Sequence, residues 1–488
     1  MKFSQFTYQL DDVQILFKRD FDISSLISDS RKTTENSIFF ALKGQNFNGE
    51  DFIHSAIEKG SKAIITYENF AIDPKYKDIS FIKTKDVNEL LNRAVQVFYR
   101  YKIPEKIYGV TGTNGKTSVA NFTANILAKL GVKSASIGTL GTLIDGDFEK
   151  IFSDSGMTTP DILTLFENLK ELKNQNINEI VMEASSHGLF LERLGFIKFL
   201  TAGFTNFSQD HLDFHKTMEE YFAAKMLIFT KHLSQNGVAI VNSDIEEFEK
   251  IKNICEKNNK KLFSFGKKSS DLKIKNIALN ESGIELELQN KEISKTIKTN
   301  LIGRFQGYNL ACTIAMLINN NYDFSEICEA SQNIKSVKGR MELIPLLNGK
   351  AKAVIDYAHT PDALEKAIIS CREQTSGKLI TLFGCGGDRD KTKRPLMGEI
   401  SSKLSDITIV TDDNPRTENA SIIRKEIIST CPNAIEIENR EIAIKKGLEM
   451  LKPSDCLLIA GKGHENYQII GKEKFHFSDF EIVKKFLP

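Results

Sequence analysis

The run Gly112-Thr113-Asn114-Gly115-Lys116-Thr117 constrains the fold more than any other part of the chain, because of what flanks it. Before it, Lys106–Thr111 is an apolar stretch that reads as a buried strand. After it, Val119, Phe122, Ile126, Leu127 and Leu130 recur at helical spacing, and Gly131 stands where the helix would end. A strand, a glycine turn and a helix N-terminus make an anion cradle. Backbone amides face phosphate, the Lys116 ammonium neutralises its charge, and the Thr117 hydroxyl can ligate Mg²⁺. The expected ligand is a nucleoside triphosphate. The common pattern has glycine where this chain has Val110, so the loop is a variant form. A plain glycine turn with a surface lysine is the competing reading.

At 488 residues the chain exceeds one core and suggests about three domains. Charge is balanced, 65 basic against 64 acidic residues, which gives no electrostatic reason to expect nucleic acid or an anionic membrane as partner. No apolar run is long enough for a membrane span, and the first residues lack a signal-peptide apolar region. Seven cysteines without a C-x-x-C pair read as the reduced thiols of a cytoplasmic protein, with Cys312 and Cys456 in core strands or helices.

Short strands and helices fill the first hundred or so residues, with Ile103-Pro104 as a hinge. From there strands alternate with helices: the loop strand, then Val132–Gly138, Glu179–Glu183, Thr201–Asn206 and Gly237–Asn242. That alternation predicts βαβ units in a mostly parallel sheet. Leu272–Leu301 alternates apolar and polar residues and reads as an antiparallel appendage. A third alternation begins near Met341, with strands expected at Ala353–Tyr357, Leu379–Phe383, Ile407–Thr411 and Cys456–Ala460. The fold class is therefore α/β with three domains: a small N-terminal α/β domain (1–103), a central P-loop ATPase-like sheet (104–339) and a C-terminal Rossmann-like domain (340–488). Four strands of the last domain end in polar or glycine clusters, among them Asp412-Asp413-Asn414-Pro415-Arg416 and Gly461-Lys-Gly-His-Glu465. Ligands of open α/β sheets bind beyond the carboxyl ends of the strands, so chemistry is expected in the cleft between two such edges.

Glu183 ends its strand where the acidic Mg²⁺ partner of a phosphate loop would stand, or else it caps the next helix or faces solvent. The block Asn206–His215 is dense in oxygen and imidazole ligands; His211 carries some functional weight, and His215 reads as structural. Lys225 lies in apolar surroundings, in Tyr221-Phe-Ala-Ala-Lys225, which sequence alone leaves as an ordinary lysine.

Taken in order, Gly112–Thr117, Met157-Thr-Thr-Pro160, Met182-Glu-Ala-Ser-Ser-His-Gly-Leu189, Asn206–His215, Gly303-Arg-Phe305 with Asn309, Gly339-Arg-Met-Glu342 and Asp356-Tyr-Ala-His-Thr-Pro361 resemble the Mur ligases over nearly the whole chain. Within that group Asp413-Asn414-Pro415-Arg416 is similar to the sequence by which members recognise diaminopimelate; lysine-adding relatives lack its arginine. The chemistry fits: diaminopimelate differs from lysine by a distal carboxylate, which a guanidinium binds through two parallel hydrogen bonds. A surface ion pair of Arg416 with Glu418 is the competing reading.

The resemblance implies roles for other residues. Ser30, Gln45, Asn46 and Phe47 would hold the UDP end, and Thr158, Thr159, Ser185 and Arg193 the muramoyl dipeptide. Arg389, Asp413, Asn414, Pro415, Arg416, Gly461 and Glu465 would form the diaminopimelate pocket. Asn309, Arg340 and Asp356 would join Gly112–Thr117 around ATP. Lys116, Glu183, His211 and Lys225 would be catalytic. Thr117, Glu183, His211 and a carbamoylated Lys225 would face Mg²⁺. Some relatives carry a substrate-binding glutamine where this chain has Leu191.

The implied reaction is ATP-dependent: an acyl phosphate forms on the D-glutamyl side chain of UDP-N-acetylmuramoyl-L-alanyl-D-glutamate, and the meso-diaminopimelate amine displaces phosphate. Partners are these small molecules, with no nucleic acid, and the expected state is a monomer. A lysine-adding or folylpolyglutamate-like ligase, or a phosphate-loop switch that hydrolyses ATP slowly, are the alternatives. Arg416 opposes lysine, and Asp29-Ser-Arg31 opposes folate.

Overall fold

The computed structural model describes residues 1–44, 47–147, 149–268 and 270–487. Its strands form three main sheets and one hairpin. The first sheet holds β1 (Gln14–Leu16), β2 (Leu26–Ile27), β3 (Ile38–Phe40), β4 (Ala63–Tyr67) and β5 (Ser80–Thr84), in the order β1-β5-β4-β3-β2. The helix Val87–Tyr99 follows because Asp86 caps it, accepting from the amides of Asn88 and Glu89. Val87, Leu90, Leu91, Ala94, Val95 and Phe98 then fall on one buried face. That face enters a core shared with the central sheet, and Tyr99 donates to Glu167 at 2.8 Å across it.

The central sheet comprises β6 (Lys106–Thr111), β7 (Ser134–Gly138), β8 (Gly141–Ile144), β9 (Ile151–Ser153), β10 (Glu179–Glu183), β11 (Phe199–Phe204), β12 (Leu233–Asn242), β13 (Lys261–Gly266), β14 (Leu272–Asn280), β15 (Gly283–Asn290) and β16 (Ile293–Thr299). Their order is β16-β15-β14-β13-β12-β11-β6-β10-β7-β8-β9. Neighbours from β14 through β13, β12, β11, β6 and β10 to β7 are parallel, while β14–β16 and β7–β9 run antiparallel. The alternation in β14–β16 is real: Ile274, Ile277, Ile284, Leu286, Leu288 and Ile297 bury one face, and charged residues occupy the other. The β8–β9 hairpin carries no comparable sequence signal. Because β6 lies between β11 and β10, the residues following those two strands flank the glycine loop.

The third sheet contains β17 (Glu342–Leu346), β18 (Ala351–Asp356), β19 (Leu379–Phe383), β20 (Ile407–Val410), β21 (Ile435–Glu436) and β22 (Cys456–Ala460), ordered β17-β18-β22-β19-β20-β21. All but the β17 pairing are parallel, so the four polar clusters share one edge. A hairpin of β23 (Tyr467–Ile470) and β24 (Glu473–His476) follows. Gln374 stitches this sheet to the central one, donating to Asn280 O at 2.9 Å and Gly283 O at 2.8 Å and accepting from Gly303 N at 2.6 Å. All seven cysteines are buried and unpaired, including Cys312 and Cys456. Among the described residues no helix is long and apolar enough to cross a membrane.

A fully buried ion pair holds the last helix, Asp479–Lys485: Arg440 Nε and Nη2 each donate to the Asp479 carboxylate at 2.7 Å. Arg440 Nη2 also reaches Ala460 O at 3.0 Å, at the end of β22. Removing one partner strands a buried charge, so Asp479→Ala should cost about 3–5 kcal/mol. Replacing both, with Arg440→Met and Asp479→Leu, should recover most of that loss. Denaturant midpoints of the two variants provide the comparison.

Candidate active site

The glycine loop leaves β6 through two residues that no side chain could replace. Gly112 has φ 144°, and a Cβ there would lie 2.0 Å from Thr205 Oγ1; Gly115 has φ 86°, with Asn309 Oδ1 2.4 Å away. Asn206, just beyond β11, braces the turn: its carbonyl accepts from Thr113 N and its side-chain oxygen from Asn114 N, both at 2.9 Å. Lys116 Nζ folds back over the loop onto Gly112 O and Thr113 O at 2.8 Å. The helix begins at Lys116, three residues before the apolar periodicity does, because left-handed Gly115 is its cap. Its first-turn amides therefore have no helical acceptors and point toward the loop. Val110 is a core strand residue, paired with Glu183 and Gly203, so the missing glycine costs the turn nothing.

Glu183 is 1% exposed. It accepts from Thr117 Oγ1 at 3.0 Å and from Thr139 N at 2.8 Å. Ser185, not Glu183, caps the next helix, accepting from Gly188 N at 3.0 Å. Gly138 makes room for the acid: a Cβ there would meet Glu183 Oε1 at 2.0 Å. Burial raises the Glu183 carboxyl, opposed by the Lys116 charge and the Thr139 amide.

Lys225 is 1% exposed, and its Nζ donates to Gly112 O at 2.8 Å from 4.4 Å above the Tyr221 ring. Desolvation, then the nearby Lys116 charge, pushes its amine well below the ordinary lysine range. It is not a solvated lysine.

His211 adopts a left-handed φ of 54°, which turns its ring onto His187 (centroids 4.8 Å) and Tyr221 (5.9 Å). His215 is buried among His187, Phe214 and Tyr221, and among the described residues its Nε2 has no partner. Burial lowers all three imidazoles. His187 joins this cluster without having stood out in the sequence; its place four residues after Glu183 was the available signal. Tyr221 is a second such residue, its hydroxyl 3.3 Å from Thr113 Oγ1.

Oxygen donors from Thr117 and Glu183, side by side at the loop, suit Mg²⁺. Among the described residues no three His, Cys, Asp or Glu side chains converge to hold an ion.

Thr158, Thr159, Ser185 and Arg193 come together beside Glu183. Thr158 Oγ1 lies 3.0 Å from Thr139 Oγ1, and Thr159 Oγ1 donates to Glu183 O at 2.9 Å and sits 3.0 Å from Ser185 Oγ. Arg193 Nη1 donates to Thr159 O at 3.0 Å. Leu191 is exposed just past this helix. Ser30 and Phe47 lie apart, in the first sheet's layer. Ser30 is buried in a single turn capped by Asp29, and Phe47 is exposed against Phe52. Gln45 and Asn46 lie outside the described residues.

On the C-terminal edge, Asn414 is buried, donating to Glu465 Oε2 at 3.0 Å and accepting from Lys462 Nζ at 3.1 Å and Ile469 N at 2.9 Å. Lys462, absent from the sequence expectations, is fully buried beside Asp413 and Glu465. Gly461 has φ 113°, and a Cβ there would crowd Asp413 Oδ2 at 2.7 Å. Arg416 donates to Gly387 O at 2.8 Å, and among the described residues no carboxylate comes within ion-pair distance of it. The alternative pairing with Glu418 is not formed, because Lys391 (3.1 Å) and Arg394 (3.0 Å) take that carboxylate. Arg389 is exposed and, among the described residues, reaches only the Asp388 carbonyl.

Nearer the central sheet, the Arg340 guanidinium lies 4.7 Å over the Tyr357 ring. Asp356 accepts from Met341 N at 2.8 Å and Ala358 N at 2.9 Å. Gly339, φ 65°, lets that loop touch the His464 amide. His359 Nδ1 pairs with Tyr357 O at 2.8 Å, a strand-end hydrogen bond. Asn309 faces the phosphate loop from the helix Arg304–Ile318, its amide oriented by a bond to Gln306 at 2.9 Å.

Comparison with known proteins agrees with this arrangement. Residues 22–105 match the Mur ligase family, catalytic domain, residues 110–317 the Mur ligase middle domain, and residues 339–463 the Mur ligase, glutamate ligase domain. The chain is 45% identical to the UDP-N-acetylmuramoyl-L-alanyl-D-glutamate–2,6-diaminopimelate ligase of Rickettsia typhi, over 97% of this chain and 94% of that one. A solved structure of a ligase of that description superposes with a TM-score of 0.69 at 29% identity, covering 95% and 94% of the two chains. The MurF ligase of Thermotoga maritima in complex with ADP shares the fold, with a TM-score of 0.64, 19% identity and coverage of 90% and 94%.

Proposed function

Since the chain belongs to the Mur ligase family, we propose that it joins meso-diaminopimelate to UDP-N-acetylmuramoyl-L-alanyl-D-glutamate at the expense of ATP, in peptidoglycan precursor synthesis. The observation that carries this acceptor is Arg416, a guanidinium without a carboxylate partner beside buried Asn414 on the strand-carboxyl edge. The enzyme acts as a cytoplasmic monomer built from a UDP-binding segment (1–103), an ATP-binding segment (104–339) and an amino-acid-binding segment (340–488). The division follows the three sheets.

Lys116 and the amides of Gly112–Thr117 hold the β- and γ-phosphates, with Asn309, Arg340 and Asp356 around the rest of the nucleotide. Mg²⁺ would be held by Thr117 and Glu183, with His211 and carbamoylated Lys225 facing it, and supplies charge neutralisation on the transferring phosphoryl group. Ser30, Gln45, Asn46 and Phe47 hold the UDP end. Thr158, Thr159, Ser185 and Arg193 place the D-glutamyl carboxylate near the γ-phosphate.

The carboxylate oxygen attacks phosphorus and ADP departs, leaving an acyl phosphate. Arg389, Asp413, Asn414, Pro415, Arg416, Gly461 and Glu465 orient diaminopimelate so that its amine attacks the acyl carbon. A tetrahedral intermediate then expels phosphate. Closure of the two α/β edges excludes the water that would hydrolyse the acyl phosphate.

Phosphate release from ATP, measured with Mg²⁺ and the UDP-muramoyl dipeptide, is expected to require diaminopimelate and to respond weakly to L-lysine. Equal release with lysine would overturn the acceptor, and release indifferent to any amino acid would overturn the ligase.

A further inference from the structure

Arg389 and Arg416 sit on two loops that meet beyond β19 and β20, and neither has a carboxylate within ion-pair distance among the described residues. The loops lie in direct contact. A Cβ on Gly387 would be 2.0 Å from Pro415 O, and one on Gly386 would be 2.8 Å from Arg416 Nη1. Arg416 itself has a left-handed φ of 51°. Its backbone is clamped by β23, with its amide donating to Ile469 O at 3.1 Å and its carbonyl accepting from Gly471 N at 2.8 Å.

What joins the Arg389 loop to the Arg416 loop is the pair that follows Arg416. Glu418 Oε1 accepts from Asp388 N at 2.5 Å and from Arg394 Nη2 at 3.0 Å. Its other oxygen accepts from Arg394 Nη1 at 3.2 Å and stands 3.1 Å from Lys391 Nζ. Arg394 is fully buried and passes the restraint on to Gly386 O at 3.3 Å. Thr417 Oγ1 reaches both oxygens of the Asp388 carboxylate, at 2.9 and 3.0 Å. Glu426 also binds Arg394, at 2.7 Å, yet its carboxylate touches neither loop.

Resting on the acceptor proposed above, we infer that Glu418 is a positioning residue for acceptor specificity. It neutralises Lys391 and Arg394 while fixing the two loops at the spacing that lets Arg389 and Arg416 address one distal carboxylate. Lys391, freed of Glu418, would compete for that same carboxylate, and a loosened Asp388 would carry Arg389 away from it. Glu426 supplies the contrast, because losing it removes an ion pair to Arg394 and leaves both loop contacts in place.

The test is steady-state phosphate release by the full chain, with diaminopimelate, ATP and the UDP-muramoyl dipeptide varied in turn. Glu418→Gln is expected to raise the KM for diaminopimelate about tenfold or more, with kcat within about threefold and the other two KM values within about twofold. Thr417→Val should shift the same KM in the same direction by less, and Glu418→Asp should lie between wild type and Glu418→Gln. Glu426→Gln should lower the melting midpoint and leave all three KM values in place. A folded Glu418→Gln that moves no KM, or moves all three alike, overturns the inference, as does an equal KM shift in Glu426→Gln. Should Glu418→Gln not fold, Thr417→Val against Glu426→Gln decides on the same criterion. Wild-type protein that ignores diaminopimelate would reveal itself before any variant is made, and would sink the acceptor together with this role for Glu418.

Discussion

Arg416→Ala is expected to lower kcat/KM for diaminopimelate by about 10²- to 10³-fold, nearly all of it in KM for that substrate. Removing one partner of a hydrogen-bonded charge pair in a binding site costs about 2–5 kcal/mol, and each 1.36 kcal/mol is a factor of ten. The half-buried guanidinium argues against the top of that range, since water screens what remains exposed. Lysine should respond in the opposite sense. In the wild type it leaves Arg416 without its carboxylate, a cost paid only by the shorter substrate. The variant carries no such cost, so activity with lysine should rise and the preference for diaminopimelate should shrink from both sides. Arg416→Lys should behave like the alanine variant, because an ammonium cannot present two parallel donors. Unchanged KM for diaminopimelate in both variants would remove Arg416 from the pocket.

How much of this was legible in the sequence depended on range. Period-2 and period-3.6 patterns are local, so β6, β10, β19 and β22 and the buried faces of β14–β16 could be read directly. The glycine loop was legible for the same reason, its strand and helix being adjacent in the chain. What escaped is held together across the chain. Asn206 braces Asn114 from 92 positions away, and Gln374 reaches Gly283 from 91. The pairing of Glu418 with Arg394 spans 24 residues and displaces the competing reading of a local bond to Arg416. A carboxylate two residues from an arginine is a reasonable partner on paper. Here left-handed Arg416 turns its side chain onto the Gly386–Gly387 loop, and Glu418 faces the buried guanidinium instead. Ends of elements shifted for equally local reasons, as where left-handed Gly115 lets the helix start at Lys116. The environment of Lys225 was half visible: the apolar neighbours showed, but the Gly112 carbonyl that accepts from its Nζ did not.

That environment carries the second large prediction. Lys225→Ala and Lys225→Arg are each expected to lower kcat by about 10²- to 10³-fold, the effect of losing one preorganised electrostatic group, with little change in substrate KM. Lys225 as an ammonium would sit buried near Lys116, a like charge, and both burial and that neighbour favour the neutral amine. A neutral amine can attack the carbon of carbon dioxide, losing one proton to solvent and leaving a carbamate. The sign of the side chain then inverts: the repulsion with Lys116 becomes attraction, and two new oxygens are available to a hard cation. Enzyme stripped of carbon dioxide should therefore lose activity and regain it with bicarbonate. Protein equilibrated with carbon-13 bicarbonate should show a carbamate resonance that Lys225→Arg lacks. Arginine keeps the positive charge and cannot be carbamoylated, so it separates the modification from simple cation–phosphate attraction. If the stripped wild type keeps full activity and shows no carbamate signal, Lys225 works as an unmodified amine hydrogen-bonded to Gly112. The kcat loss in the variants would then reflect distortion of the phosphate loop, and ATP KM, rather than kcat alone, should rise with it.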